Sequence, residues 1–271
     1  MTTLSLPDAP YDRWLEAARA RHSRRSFDGT PLAPEVVAAL QEAVARWRPS
    51  GSARITVLPE APEDIFRGIV GGYGRIAGAP SALVMIGNSK GPVAQASVGF
   101  AGEAIVLEAT ALGVGTCWVG GMFDGGAVSR TIELAEGESV LAVSPLGTPL
   151  QKVTTTERVV YGMRKPKPRK PVTEIAPRME GGDWPTWTRP GVEAARIAPS
   201  AHNRQPWRFR PEAGSVVVSF DGPDTPMVSK RLDCGIAMLH FEIAVRAAGV
   251  AGSWALLEHR SDVARFSLGP A

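Results

Sequence analysis

The chain has 271 residues, 44% hydrophobic and 21% charged, enough to bury a sizeable core and unlike the composition of a disordered segment. Both charge signs are interspersed and the formal net charge is only +3, so charge by itself implies little about nucleic acid and supports only a mild preference for anions. The two cysteines, Cys117 and Cys234, are too few for a disulfide framework or a cysteine metal site, and the four histidines lack metal-ligand spacing.

Residues Met1 to Pro7 lack a basic start followed by an apolar run, so no secretory signal is expected and a cytoplasmic location is the default. Asp8 and Pro10 open a helix on which Tyr11, Trp14, Leu15 and Ala18 recur at helical spacing, up to the basic cluster Arg21-His-Ser-Arg-Arg25. After a turn at Asp28-Gly29, Pro34 opens a second helix with Val37, Leu40 and Val44 on one face. The apolar runs Ile55 to Leu58, Ala82 to Ile86 and Val140 to Val143 read as strands, with a long helix between the last two. The most apolar window, Ala94 to Trp118, carries Glu103 and Glu108, which argues against a membrane span. Further on, Val192 to Ile197 is a short helix stopped by Pro199, Trp207 to Phe209 and Val216 to Phe220 suit a hairpin, and Ile236 to Ala248 is another helix.

Two blocks of the first half return in the same order in the second. Ala45-Arg46 with Pro49-Ser50 lines up with Ala195-Arg196 and Pro199-Ser200. Gly99 to Trp118 lines up without a gap with Gly235 to Trp254, and Gly113 and Gly249 mark the ends of equivalent helices. The copies differ where chemistry is expected. Only the first carries Arg21-His22-Ser23-Arg24-Arg25-Ser26-Phe27, and only the second carries the full loop Pro199-Ser200-Ala201-His202-Asn203-Arg204-Gln205-Pro206-Trp207. Two arginines four apart with a hydroxyl between them suit a phosphate ester and a polyol, if they share a helical face, though an exposed basic helix end has the same pattern. A proline-bounded loop offering Ser200, Asn203 and Gln205 suits the edge of a flat heterocycle, though a tight turn before a hairpin would also use it. No phosphate-binding glycine motif of the G-x-x-x-x-G-K-[ST] or G-x-G-x-x-G kind stands at a strand-to-helix turn.

The motifs Arg-His-Ser-x-Arg-x-Phe and Pro-Ser-Ala-x-Asn-x-Gln-Pro-Trp-Arg-Phe resemble the two signatures of the nitroreductase family, and Gly113 to Phe123 is similar to its loop after the central helix. In half-length members both signatures occur in one subunit of a dimer, so their separation here resembles fused, single-chain members. The resemblance implies an α+β nitroreductase fold with two homologous lobes mimicking the family homodimer: an N-terminal lobe at 1–165, a basic and Trp-containing connector at 166–190 and a shortened C-terminal lobe at 191–271. It implies a monomer acting as a pseudo-dimer, FMN as cofactor, NAD(P)H as co-substrate, and a nitroaromatic, quinone or flavin as small-molecule acceptor, with neither nucleic acid nor membrane as partner. Arg21, His22, Ser23 and Arg25 would bind the FMN phosphate and ribityl chain, assisted by Lys167 and Arg169. Pro199, Ser200, Ala201 and Asn203 would touch the isoalloxazine from across the lobe interface. Gln205 would bond the ring edge or fix the loop, and Gly120 and Gly121 would lie against the ring near its reactive nitrogen, Gly120 standing where some members have an acidic residue. Because the flavin performs the hydride chemistry, no catalytic side chain is required. The alternative with the same motifs is a protein that stores FMN behind an occluded ring; a scaffold with a decayed site is disfavoured by the intact Arg21, Ser23, Ser200 and Asn203.

Overall fold

The computed structural model describes residues 2–48, 53–66, 76–88, 90–150, 168–225 and 227–269. In chain order its first part runs β1 (Thr3–Leu4), α1 (Tyr11–Ala20), α2 (Pro34–Arg46), β2 (Arg54–Leu58), β3 (Ser81–Gly87), α3 (Pro92–Ala111), β4 (Gly115–Thr116), α4 (Gly125–Ser129) and β5 (Ser139–Gly147). The second part runs α5 (Val172–Ile175), α6 (Thr188–Arg196), β6 (Trp207–Glu212), β7 (Ser215–Phe220), α7 (Lys230–Ala247), β8 (Gly252–Leu256) and β9 (Asp262–Leu268). The α+β class follows: helices pack between two antiparallel sheets, ordered β2-β3-β5-β4 and β1-β8-β9-β7-β6. Reading β6, β7, β9 and β8 against β2, β3, β5 and β4, the strands take the same order in both sheets. The boundary expected at 165 lies outside the described residues, and β1 pairs not with the first sheet but with β8, Leu4 opposite Trp254.

α3 is buried on every side from Ala96 to Ala109, which is the fate of a helix without a polar face. It packs on α7, and the crossing is reciprocal. A Cβ added to Gly99 would stand 2.0 Å from the Leu232 carbonyl oxygen, and one added to Gly235 would stand 2.1 Å from that of Ala96. The two backbones therefore meet at matched positions of the two blocks, as across an isologous interface. Both helices end alike. Gly113 and Gly249 adopt φ of +79° and +81°, and Val114 and Val250 donate back to the carbonyls of Ala109 and Val245 at 2.9 and 3.0 Å. This is the Schellman closure that a left-handed glycine permits.

Three elements of the second half depart from the sequence reading. α7 starts at Lys230 rather than Ile236, because Ser229 Oγ caps it by accepting the Arg231 N–H at 3.1 Å, and the charged first turn is buried with Arg231 and Asp233 inside. β8 and β9 were not anticipated; they complete the second sheet and bury Trp254 and Phe266 against Phe241. Among the described residues no helix is long and apolar enough to cross a membrane.

Candidate active site between the two halves

The basic segment does not continue the helix. α1 ends at Ala20, Arg21 turns extended at φ −60° and ψ 127°, and the chain then lies along β4. Ser23 bridges Thr116 in parallel, the Arg24 N–H donates to the Thr116 carbonyl at 2.8 Å, and Phe27 is buried where it bridges Pro149. The expectation that Arg21 and Arg25 share one helical face is thus corrected: pairing with the short edge strand β4 replaces helical bonds after Ala20. His22 is exposed, with Nδ1 2.6 Å from the Ala20 carbonyl oxygen. Arg21 Nη1 is buried and has no hydrogen-bond partner among the described residues. Arg169 donates from Nη1 to the Ala198 carbonyl. Its guanidinium is pushed down to about 10 by burial first, then by the like charges of Arg21 and Arg196, against a smaller opposing pull from Glu103. Three guanidinium groups therefore converge, one with an unused buried donor. Lys167 lies outside the described residues.

The loop Pro199 to Pro206 is held from both sides. Ser200 Oγ accepts the Gln205 N–H at 3.0 Å, and the Asn203 N–H donates to the Ser200 carbonyl at 3.0 Å. Gln205 is buried, its amide oxygen accepting the Lys170 N–H at 2.8 Å and its Nε2 donating to the Pro168 and Asn203 carbonyls, both at 3.1 Å. Of the two roles open to Gln205, these bonds are the loop-fixing one. They also join the loop to the segment bearing Arg169. His202, Asn203 and Gln205 adopt φ of 55°, 49° and 47°, left-handed values that cost non-glycine residues about 1 kcal/mol or more each.

What holds that conformation is Asp233 in the first turn of α7. Its carboxylate accepts the Ala201 N–H at 3.0 Å and Arg204 Nε at 2.6 Å, while Arg204 extends to Thr225 Oγ1 at 2.6 Å and the Val228 carbonyl at 2.8 Å. Asp233 is fully buried, and burial pushes its carboxyl up to about 6, against the lowering pull of Arg204. Val228 in turn meets the glycine loop of the first half: a Cβ on Gly120 would stand 2.9 Å from Val228 Cγ2, and one on Gly121, where φ is +76°, 3.2 Å from the Met227 carbonyl. Beside Gly121 opens a cleft of about 410 Å³. Below it Trp118 Nε1 donates to Glu103 at 2.6 Å, and the other oxygen of Glu103 lies 2.8 Å from His240 Nε2 on α7, both side chains being fully buried.

These contacts tie the Pro199 to Gln205 loop to the segment bearing Arg169 through Gln205, and to Val228, beside Gly120, through Arg204. Sequence reasoning missed Arg196, Arg204 and Asp233. Arg204 stands inside the loop motif but its role depends on Asp233, and Asp233 carries no local signal, since its partners lie far away in the chain.

The model of the family described as "Putative TM nitroreductase" matches residues 14–245. The solved structure of a Thermotoga maritima protein of the same description is similar to the chain at a TM-score of 0.61 and 22% identity, covering 95% of this chain and 94% of that one. A nitroreductase with bound FMN from Bacteroides fragilis aligns at a TM-score of 0.42 and 22% identity over 52% of this chain and 90% of its own. An oxidoreductase containing FMN aligns at 0.47 and 20% identity over 63% and 91%. No curated protein matches the sequence. With a family model covering most of its length, the chain belongs to this nitroreductase family of oxidoreductases.

Proposed function

We propose that the chain binds one FMN between its halves and carries a hydride from NADH or NADPH to an organic acceptor. The observation that carries this reading is the buried, unpartnered Arg21 Nη1 beside Arg169, whose charge is already disfavoured by Arg21 and Arg196. Glu193 pairs with Arg196 and Glu103 acts on Arg169, but the buried Arg21 Nη1 donor stays unused, and a phosphate monoester supplies it with matching oxygens. Ser23 and Arg25 stand on the same extended segment and would assist the phosphate and ribityl chain. The strained loop would carry Ser200, Ala201 and Asn203 toward the place of a flat ring, and Gly120 and Gly121, packed on Val228 and Met227, would lie near its edge.

When bound, FMN accepts a hydride from a reduced nicotinamide and passes two electrons to an acceptor. The chain's own part is positional and electrostatic. The arginines would fix one end of the cofactor, and the Asp233–Arg204 pair holds the loop at the other. The two halves, with their matched strand order and reciprocal helix crossing, are read as copies of one unit acting together as a monomer.

The purified chain is expected to be yellow, to bleach with NADH or NADPH without oxygen, and to regain colour on adding a nitroaromatic or quinone. Bound FMN that no nicotinamide bleaches would favour storage instead, and a colourless chain that takes up no FMN would defeat the proposal.

A further inference from the structure

The cleft beside Gly121 draws walls from both halves: Phe123 and Leu141 from the first, Met227, Val228 and Leu232 from the second. Its volume of about 410 Å³ lies within the range of small-molecule sites, and its mixed lining sets these apolar side chains, suited to a flat ring, beside polar Gln95, Ser139 and Thr225. Its charged lining is unequal in availability. Asp224 is committed as a cap, its oxygens accepting the Thr225 and Lys230 N–H groups at 2.8 and 2.6 Å and the Ser229 hydroxyl at 2.7 Å. Arg231 is 5% exposed and gives its guanidinium to the carbonyls of Leu257 and Arg260. Lys90 is exposed, and its ammonium forms no ion pair among the described residues.

We infer that this cleft is the acceptor site and that it selects a flat aromatic acceptor bearing an anionic group, which Lys90 receives. The inference rests on the flavin reading above, because Gly121 is both a wall of the cleft and a residue assigned to the ring. With a nitroaromatic acid, the nitro group gains a hydride and a proton and loses one oxygen as water to become nitroso, while the dihydronicotinamide is oxidised.

The test compares para-nitrobenzoate with para-nitrobenzamide as acceptors at low ionic strength, where an exposed charge is least screened. Lys90→Ala should raise KM for the benzoate roughly three- to fivefold, the range of an exposed ion pair, and leave the benzamide unchanged. Met227→Trp, at a position 68% exposed and so safe for folding, should fill the mouth and raise KM for both acceptors roughly tenfold with flavin content intact. Equal effects of Lys90→Ala on both acceptors would overturn the charge selection. Unchanged KM values in Met227→Trp, or loss of flavin from it, would overturn the site. Flavin content of the wild-type chain, read by absorbance before any kinetics, separates failure of the functional reading from failure of this one.

Discussion

Arg21, with its unused buried donor, and Asp233, which holds the loop through Ala201 and Arg204, each support a single-residue experiment. Arg21→Ala removes the unused guanidinium donor, a charge-assisted contact worth about 1.5–3 kcal/mol, so the FMN dissociation constant should rise by roughly one to two decades in a fluorescence titration. Asp233→Asn keeps the shape and removes the negative charge facing Arg204. FMN retention in the wild type should weaken as pH falls through about 6, where Asp233 gains its proton, and the variant should bind less tightly at pH 8 without that midpoint. A wild-type affinity flat from pH 8 to 5 would remove Asp233 from this role. Stability of the flavin-free chain runs the other way. Asp233 is raised to about 6, and Glu242, beneath the bonds it accepts from Leu6 N–H and Ser5 Oγ, is raised to about 7 by burial. Between the ordinary carboxylate range and those values the folded state binds more protons than the unfolded, so stability rises as pH falls. Thermal unfolding should show a higher Tm at pH 5.5 than at pH 8, and Glu242→Gln should flatten the difference. Of these groups only Arg21 was legible in the sequence, as part of a local motif. Asp233 and Glu242 act through partners distant in the chain, which no local pattern announces.

The α3–α7 crossing explains why glycine stands at 99 and 235. A methyl group at Gly99 meets the Leu232 carbonyl oxygen at 2.0 Å, and backbone cannot swing aside as a side chain can. The helices would have to separate, and overpacking of this kind costs about 3 kcal/mol. Gly99→Ala should therefore lower Tm by roughly 6–12 °C in a calorimetric scan. Gly125→Ala, whose added carbon meets nothing nearer than 4.0 Å, should shift it little, and equal effects would show that the crossing is loose. These helices were readable because their glycine ends and apolar length are local signals. The start of α7 was not, since Arg231 and Asp233 look like surface residues until their buried partners are known. β9 escaped notice for a related reason: its alternating run includes Asp262, Arg265 and Ser267, and only pairing with β7 and β8 makes it a strand.

At the scale of the whole molecule, the two sheets share a strand order but their β4 and β8 edges are covered differently. Along β4 lies the arginine-bearing segment, whose Arg24 N–H meets the Thr116 carbonyl; along β8 lies β1, with Ser5 Oγ 3.4 Å from the Gly252 carbonyl. Thr116 and Gly252 are counterparts in the repeated blocks. The second sheet is thus edged by the strand from the start of the chain where the first sheet is edged by the basic segment, and one FMN per chain is expected. Cofactor release and quantitation should give a ratio near one, with a single-chain mass in size-exclusion light scattering; a ratio near two would refute the asymmetry.

Because β1 and its partner β8 lie so far apart in sequence, the strand stays unpaired until the β8 segment has left the ribosome. At ordinary translation speeds that interval is roughly tens of seconds, during which Leu4 and Leu6 stay wet and the second sheet keeps a bare edge. Closing the molecule is therefore a late event of long loop closure, and the nascent chain is most exposed to misassociation just before Trp254 arrives.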